Sequence, residues 1–582
     1  MGVLWASGCG GGGGGAGGSG GTAGVGGSGG VGGSGGVGGS GGVGGVGGEG
    51  GAFEGVVLEL TDTYRTESGE VTKIRDLGMF TSIEARILLG DGATQKFSGA
   101  LSADGKRFEI PGVPEGPYWL AFTVPPPAGS MNGWPRLELF RLTARTVDIG
   151  RVFAGRPDVV GGTQDFDVSI TADGLTNWQQ DNFSDSIEFY SYNADADGVL
   201  SPDPSVPGMP GEGGTAFSNY PFPWLINLYP ASRDGSVLPL VDGTKGDILQ
   251  VTHMVNDRVP NAANLDVPWS NAHYDAARAS FSTTAVSMKD GLSASVTGTF
   301  QPLTQSTFDV DYKGSAFLAE IEQNGPATPR LVSASLGLFQ EPGGDIAING
   351  NIPQLFTMYV ASVDVPVDPA CFPDENGACD PVACAAGCNA ATKLAAPGDY
   401  AGTFSYGNPY THGKPHANMA LTFQSRMQHP IAGTSERLNG IFAIDMPIDD
   451  AIGKPFVPLF GLPRNVKVDG KTLPVDQATT AIGTTPTVTW DPPATGTPEY
   501  YRVVAVLLDD VTTALGTLTP RTNVLVARTT ETSFTIPTGV LQTGRYYHIL
   551  VSADVGGPFE APFRPTGKTT GRAQTYTGMF TP

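Results

Sequence analysis

The sequence predicts an all-β protein, several tandem β-sandwich domains behind a disordered glycine-rich tether. Three observations carry this expectation. Turn formers are abundant, with 84 glycines and 46 prolines among 582 residues. Both residues are poor in helix interiors. Charged residues make up only 16% of the chain, too few to coat long surface helices with Glu, Lys and Arg. Apolar residues also alternate over short runs bounded by Asp-Gly and Asn-Gly, the pattern of half-buried strands joined by tight hairpins. A chain this long exceeds one core, so several domains are expected.

The tether comes first, over residues 1–51. Thirty of the glycines fall within the first 50 positions, and Val-Gly-Gly-Ser-Gly-Gly repeats three times between Val25 and Gly42. Ordering glycine costs more backbone entropy than ordering any other residue, and this run offers little apolar area in return. A flexible coil of this length spans about 35 Å root-mean-square. Before it, Ala6-Ser7-Gly8-Cys9 resembles a bacterial lipobox, in which small residues precede a cysteine that becomes acylated. That resemblance implies a lipid anchor at Cys9 and a membrane as partner. Eight residues are too few for an export signal, so the true start is expected upstream.

Residues 52–155 open with Val56-Val57-Leu58-Glu59-Leu60 and continue with the alternating Ile83-Glu84-Ala85-Arg86-Ile87. Asp104-Gly105 then turns the chain into a strand with Phe108 and Ile110 on one face. Pro114 to Gly116 turns it again into Tyr118-Trp119-Leu120. These last pieces resemble the C-terminal half of carboxypeptidase regulatory-like domains, small transthyretin-type β-sandwiches of structural role. Residues 462–582 hold Val488 and Trp490 on one strand face before Pro492-Pro493. A further strand follows from Tyr501 to Val506, and Leu541 to Tyr547 leads into the alternating Ile549, Val551 and Ala553. This is similar to a fibronectin type III domain. The resemblance implies a core tryptophan at Trp490 and a corner tyrosine at Tyr547 whose hydroxyl bonds nearby backbone. Thr543 stands where the family usually has proline.

Residues 156–461 resemble no family. Runs such as Thr307–Tyr312 and Leu331–Leu336 alternate, separated by Asp173-Gly174, Asp234-Gly235, Asp242-Gly243, Asp290-Gly291 and Asn349-Gly350. Two units, 156–365 and 395–461, are expected around a cysteine-rich loop. A single irregular domain is the alternative. Within that loop Cys371, Cys379, Cys384 and Cys388 are spaced too widely at the start for a zinc knuckle and read as two disulfides of an exported protein. Asp380-Pro381 starts a short helix that would hold Cys384 and Cys388 one turn apart, unfavourable for a bond between them. Nested pairing is preferred, Cys371 with Cys388 and Cys379 with Cys384.

Other candidates are sparse. Asn193, Asp195 and Asp197 place oxygen donors at alternate positions before Gly198, the first half of a calcium loop. Asp203 would have to complete it, so Ca²⁺ is the single cofactor considered. His412 and His416 are four apart, but Gly413 and Pro415 forbid the helix that would aim both at one metal, so both are expected as surface histidines. Trp224 and Trp269 follow prolines in loop-like segments and are candidate contact aromatics for a carbohydrate or protein ligand, with core packing as the alternative. No hydrolase or phosphate-loop motif occurs in a fitting context.

The net charge of −23 leaves nothing to displace counterions from a phosphate backbone, so nucleic acid is excluded as a partner. No stretch approaches 18 apolar residues, so no transmembrane helix is expected. The reading is a bacterial cell-envelope lipoprotein, on the outer-membrane surface or extracellular, acting as a non-enzymatic binding, adhesion or structural module. The competing class is an exported hydrolase with its active site in 156–461. A histidine held by a carboxylate would favour that class.

Overall fold

The computed structural model describes residues 54–582 except 67, 90–91, 127–132, 181–184, 201–204, 225–237, 261–271, 327–329, 342–352, 362–363, 367–391, 395–397, 429, 431–434, 509–510, 514–515, 519–520 and 558–568. Cys9, the glycine tether, Asp203, Trp269 and all four clustered cysteines lie outside the described residues.

The fold is all-β, and its organising feature is one hydrogen-bonded ladder that runs through every expected module. From one edge the strands pair as Ala196–Leu200, Ser186–Ser191, Leu249–Arg258, Ala272–Thr283, Gln354–Ala361, Arg330–Glu341, Lys414–Gln428 and Ser435–Pro447. They continue as Thr569–Tyr576, Tyr546–Gly556, Tyr500–Leu508 and Arg521–Thr529. The ladder ends with Arg136–Leu142, Tyr118–Val124, Ser82–Leu88 and Thr94–Ser98. A short strand, Gln301–Pro302, also joins Ala272–Thr283, giving 17 strands. All of these pairings are antiparallel except Arg521–Thr529 with Arg136–Leu142, which is parallel. Twisted open sheets rarely exceed about 10 strands without curling or splitting into packed layers. Here smaller sheets cover successive stretches of the ladder.

Over the N-terminal stretch the cover is Thr146–Asp148, Gly55–Glu59, Arg107–Pro111 and Ala100–Leu101, enclosing Leu58, Ile110, Tyr118, Leu120 and Phe140. Over the first middle stretch it is Phe217–Trp224, Phe166–Asp173 and Ala294–Thr299, enclosing Val168, Phe189, Phe222 and Val251. Gln305–Lys313 pairs with Asp399–Gly407 and contributes Phe308, Tyr312 and Phe404 to the largest core. Arg464–Val468, Thr487–Asp491 and Ser533–Thr535 cover the C-terminal stretch, and their Val468, Val488 and Phe534 enter that same largest core.

Within residues 156–461 the strand Ala272–Thr283 serves two cores, with Ala279 and Phe281 in the first and Ala272, Tyr274 and Ala276 in the largest. Strands on either side of 367–391 pair with one another, as Arg330–Glu341 does with Lys414–Gln428. One helix, Gly314–Asn324, was not foreseen among the strands; Phe317 and Ile321, four apart, bury one helical face in the largest core. Asp242-Gly243 opens a 3₁₀ turn rather than a hairpin, with Asp242 accepting from Thr244 N at 3.1 Å.

Two junctions fuse the modules. Ile441–Ile444 pair with Gln574–Gly571, where Ser425 Oγ lies 2.8 Å from the Tyr576 hydroxyl and Phe423 packs on the same ring. Leu525–Arg528 pair with Leu137–Phe140, where the Arg528 guanidinium sits 4.5 Å over the Phe140 ring and 3.5 Å from Glu138. The strand Tyr118–Val124 shows the consequence. Tyr118, Leu120 and Phe122 face the N-terminal core, while Trp119 and Ala121 belong to the largest core, with Trp119 edge-on to Phe534 at 5.2 Å. Burial on both faces abolishes the alternation that a half-exposed strand would show.

His548 is a liability inside this packing. It is 2% exposed, opposite Val506, and neither ring nitrogen has a hydrogen-bond partner among the described residues. Burial, with the Arg521 charge adding to it, lowers its pKa to about 3 from 6.5. The folded form therefore binds fewer protons than the unfolded chain between those values, so this residue's contribution to stability falls as pH falls from about 6.5 to about 3. His548→Leu should raise the urea midpoint, corresponding to about 1–3 kcal/mol of unfolding free energy at pH 7 for the orphaned polar group and to more at pH 5. Equal midpoints for both proteins at both pH values would contradict this.

Candidate functional site

The middle of the ladder carries an unusual density of buried polar side chains, in two connected groups. The first lies in the stretch around Ser186–Ser191. Asp185 and His253 are both fully buried, with His253 Nε2 2.9 Å from Asp185 Oδ2. Asp185 also accepts from Gln179 N at 3.1 Å and Asn256 N at 2.9 Å. Asn256 Nδ2 in turn donates to Asp275 Oδ1 at 2.6 Å. Burial pushes the Asp275 carboxyl up to about 7, the Asn256 hydrogen bond opposing and the Asp185 charge adding to the rise. A histidine held by a carboxylate is thus present. Trp178 stacks on its ring at 5.3 Å and Phe300 packs edge-on at 6.2 Å. With no exposed surface, this imidazole cannot reach a substrate. It forms part of an internal hydrogen-bond network in which His253 Nδ1 and Asn256 Oδ1 have no partner among the described residues.

The second group forms where residues 408–413, between the strands Asp399–Gly407 and Lys414–Gln428, return across the first middle stretch. The Tyr410 hydroxyl donates to Glu188 Oε2 at 2.5 Å, and Gln354 N donates to Glu188 Oε1 at 2.6 Å. Glu188 has no solvent exposure, so these charge-assisted bonds are what make its burial tolerable. The Tyr410 ring packs edge-on against Tyr190 at 5.1 Å, and His412 stacks on Tyr192 at 4.7 Å. Asn408 Nδ2 donates to Gln340 Oε1 at 3.0 Å, and Gln340 Nε2 donates to the His412 carbonyl at 2.6 Å. His412 is therefore a packing residue, half-buried on an aromatic ring, not a free surface histidine.

His416 also departs from expectation. It sits near the start of Lys414–Gln428, between Glu341 on one neighbouring strand and Asp445 on the other. Its Nδ1 is 3.0 Å from Asp445 Oδ1 and 3.2 Å from Glu341 Oε2. Asn418 Nδ2 donates to Asp445 Oδ2 at 3.1 Å. Glu341 is 2% exposed, Asp445 8%, and the His416 side chain 14%. Helical spacing within residues 412–416, which Gly413 and Pro415 forbid, plays no part. The sheet instead brings together residues from three strands far apart in the chain, and no local signal marks that juxtaposition.

The calcium candidates are placed differently. Asn193 and Asp195 lie on the four-residue turn that joins Ser191 to its ladder partner Ala196. Both are buried, Asn193 Nδ2 donates to the Gly246 carbonyl at 3.2 Å, and Asp195 takes a positive φ of 52°. Asp197 already belongs to the following strand, opposite Tyr190. The run of alternate donors is therefore split between a tight turn and a ladder strand.

Trp224 is fully buried. Its indole donates to the Pro239 carbonyl at 3.3 Å and it packs with Phe166 and Phe189. The prolines that suggested a loop are Pro221 and Pro223 on the edge strand Phe217–Trp224. Two residues apart, they put both missing N–H groups on the unpaired side, while Tyr220, Phe222 and Trp224 face inward. The ring is core, not a presented platform.

No family model matches the chain, and no curated protein matches it. Among solved structures, a streptococcal ancillary pilin is similar at 10% identity, over 66% of this chain and 95% of that one, with a TM-score of 0.09. A superposition of that quality transfers neither fold nor function.

Two substitutions check these placements. Trp224→Ala should cost about 3–5 kcal/mol of unfolding free energy, as truncation of a buried tryptophan does; an unchanged urea midpoint would place the ring outside the core. Tyr410→Phe should cost about 1–3 kcal/mol by leaving the Glu188 carboxylate one donor short, read from the same titration, and a change below about 0.5 kcal/mol, typical of plain surface positions, would refute the clamp.

Proposed function

We propose that this chain is a bacterial cell-surface lipoprotein, anchored by an acyl group on Cys9 and held off the membrane by the glycine tether. Its β-body acts as a non-enzymatic binding, adhesion or structural module, with a protein or carbohydrate as its ligand class. The observation that carries the reading is the single ladder through the body. It spends its backbone bonds on joining modules edge to edge, as a load-transmitting or spacer element would, and the histidine–carboxylate pair at Asp185 and His253 is sealed within it.

Further support comes from the terminal modules. Residues 462–582 arrange seven strands as Arg464–Val468, Thr487–Asp491 and Ser533–Thr535 against Arg521–Thr529, Tyr500–Leu508, Tyr546–Gly556 and Thr569–Tyr576. Gln542 N donates to the Tyr547 hydroxyl at 3.0 Å, and Trp490 is buried beside Tyr501. Both features favour the fibronectin type III reading. The two four-stranded layers of the N-terminal stretch favour the transthyretin-type one.

An exported hydrolase is the second reading, and one observation favours it: His416 is held by carboxylates at a partly exposed position. Its described partners are both acids, and neither supplies the hydroxyl or thiol nucleophile of a triad.

Fractionation of a bacterium producing the full chain tests the main reading. Wild-type protein should sit in the membrane fraction with a diacylglyceryl-modified Cys9 peptide by mass spectrometry, and Cys9→Ser should release it from that fraction. An unmodified Cys9 peptide on protein recovered from the cytosol would overturn it.

A further inference from the structure

We infer that Glu341, His416 and Asp445 form a binding site for a divalent transition-metal ion, zinc being the best chemical match, with one coordination position left for a water or an incoming ligand. This stands independently of the lipoprotein reading. The argument begins with donor geometry. Zinc binds imidazole nitrogen and carboxylate oxygen at about 2.0–2.2 Å, which at tetrahedral or right angles sets neighbouring donors about 2.8–3.6 Å apart. The two separations from His416 Nδ1, 3.0 and 3.2 Å, both fall in that range. All three donor atoms lie within 4.8 Å of one another.

The nitrogen donor selects the metal class. Calcium and magnesium take oxygen ligands, while imidazole suits zinc and its transition-metal neighbours. Asn418 holds the far oxygen of Asp445 at 3.1 Å, the outer-shell bond that fixes a ligating carboxylate. Three protein donors are one fewer than a closed structural zinc site uses, and the His416 side chain retains 14% exposure. The ion would also pin together the ends of three adjacent strands, Arg330–Glu341, Lys414–Gln428 and Ser435–Pro447.

The test uses the full-length protein, stripped with EDTA and titrated with Zn²⁺ by calorimetry, then examined zinc-loaded by X-ray absorption. One saturable site per chain is expected, with a first shell of nitrogen and oxygen and no sulfur. His416→Gln should weaken binding by more than the roughly 10–100-fold that loss of an outer-shell partner costs, and Asn418→Ala by about that amount. Absence of saturable binding would overturn the site. Sulfur in the shell, or unchanged affinity in His416→Gln, would overturn it in favour of another location. Should His416→Gln fail to fold, the absorption spectrum of the wild-type protein decides alone.

Discussion

The structure depends on how strand edges are satisfied. A sandwich of separate sheets leaves four edges of unpaired N–H and C=O groups, each a template for unwanted association. In the C-terminal module both edges of the larger sheet are occupied by other parts of the same chain: Ser435–Pro447 pairs with Thr569–Tyr576, and Arg136–Leu142 with Arg521–Thr529. Backbone bonds thus do the work that flexible linkers and small polar interfaces do in ordinary strings of domains. The side chains agree. Trp119 from the N-terminal stretch and Phe423 from the middle lie in the same core as Trp490.

Edge fusion also explains where the polar groups went. A ladder strand covered on both faces has no solvent side on which to place Glu188, Asp185 or His253, so each must find a partner inside. Tyr410, Asn256 and Gln354 supply those partners, and they come from other strands and from residues 408–413. Provision is incomplete: among the described residues His253 Nδ1 and Asn256 Oδ1 lack a partner, as do both ring nitrogens of His548. In the Glu341, His416 and Asp445 cluster, two nearly buried acids flank a histidine whose side chain is 14% exposed.

Much of the fold was legible because local chemistry set it. Val488 and Trp490 bury while their strand neighbours do not, and Gly105 takes the positive φ that the Asp104-Gly105 turn requires. The run Tyr118-Trp119-Leu120-Ala121-Phe122 already hints at burial on both faces, since no polar residue interrupts it. What could not be read was long-range pairing. Nothing in Leu525–Arg528 announces a parallel partner at Leu137–Phe140, and nothing near His416 announces Glu341. Trp224 reads two ways in the sequence, as core or as ligand contact, for a definable reason: proline at alternate positions marks a loop in most contexts, but an edge strand tolerates it.

The central claim is that one ladder joins the described strands between Gly55 and Pro582 into a single mechanical body. Native-state hydrogen exchange at the two junctions tests it most directly. Amides of Ile441–Ile444 and Leu525–Arg528 should exchange as slowly as those inside Tyr546–Gly556, through one global opening. Fast exchange at either junction, with the flanking sandwiches still protected, would show that the modules open separately and contradict the account.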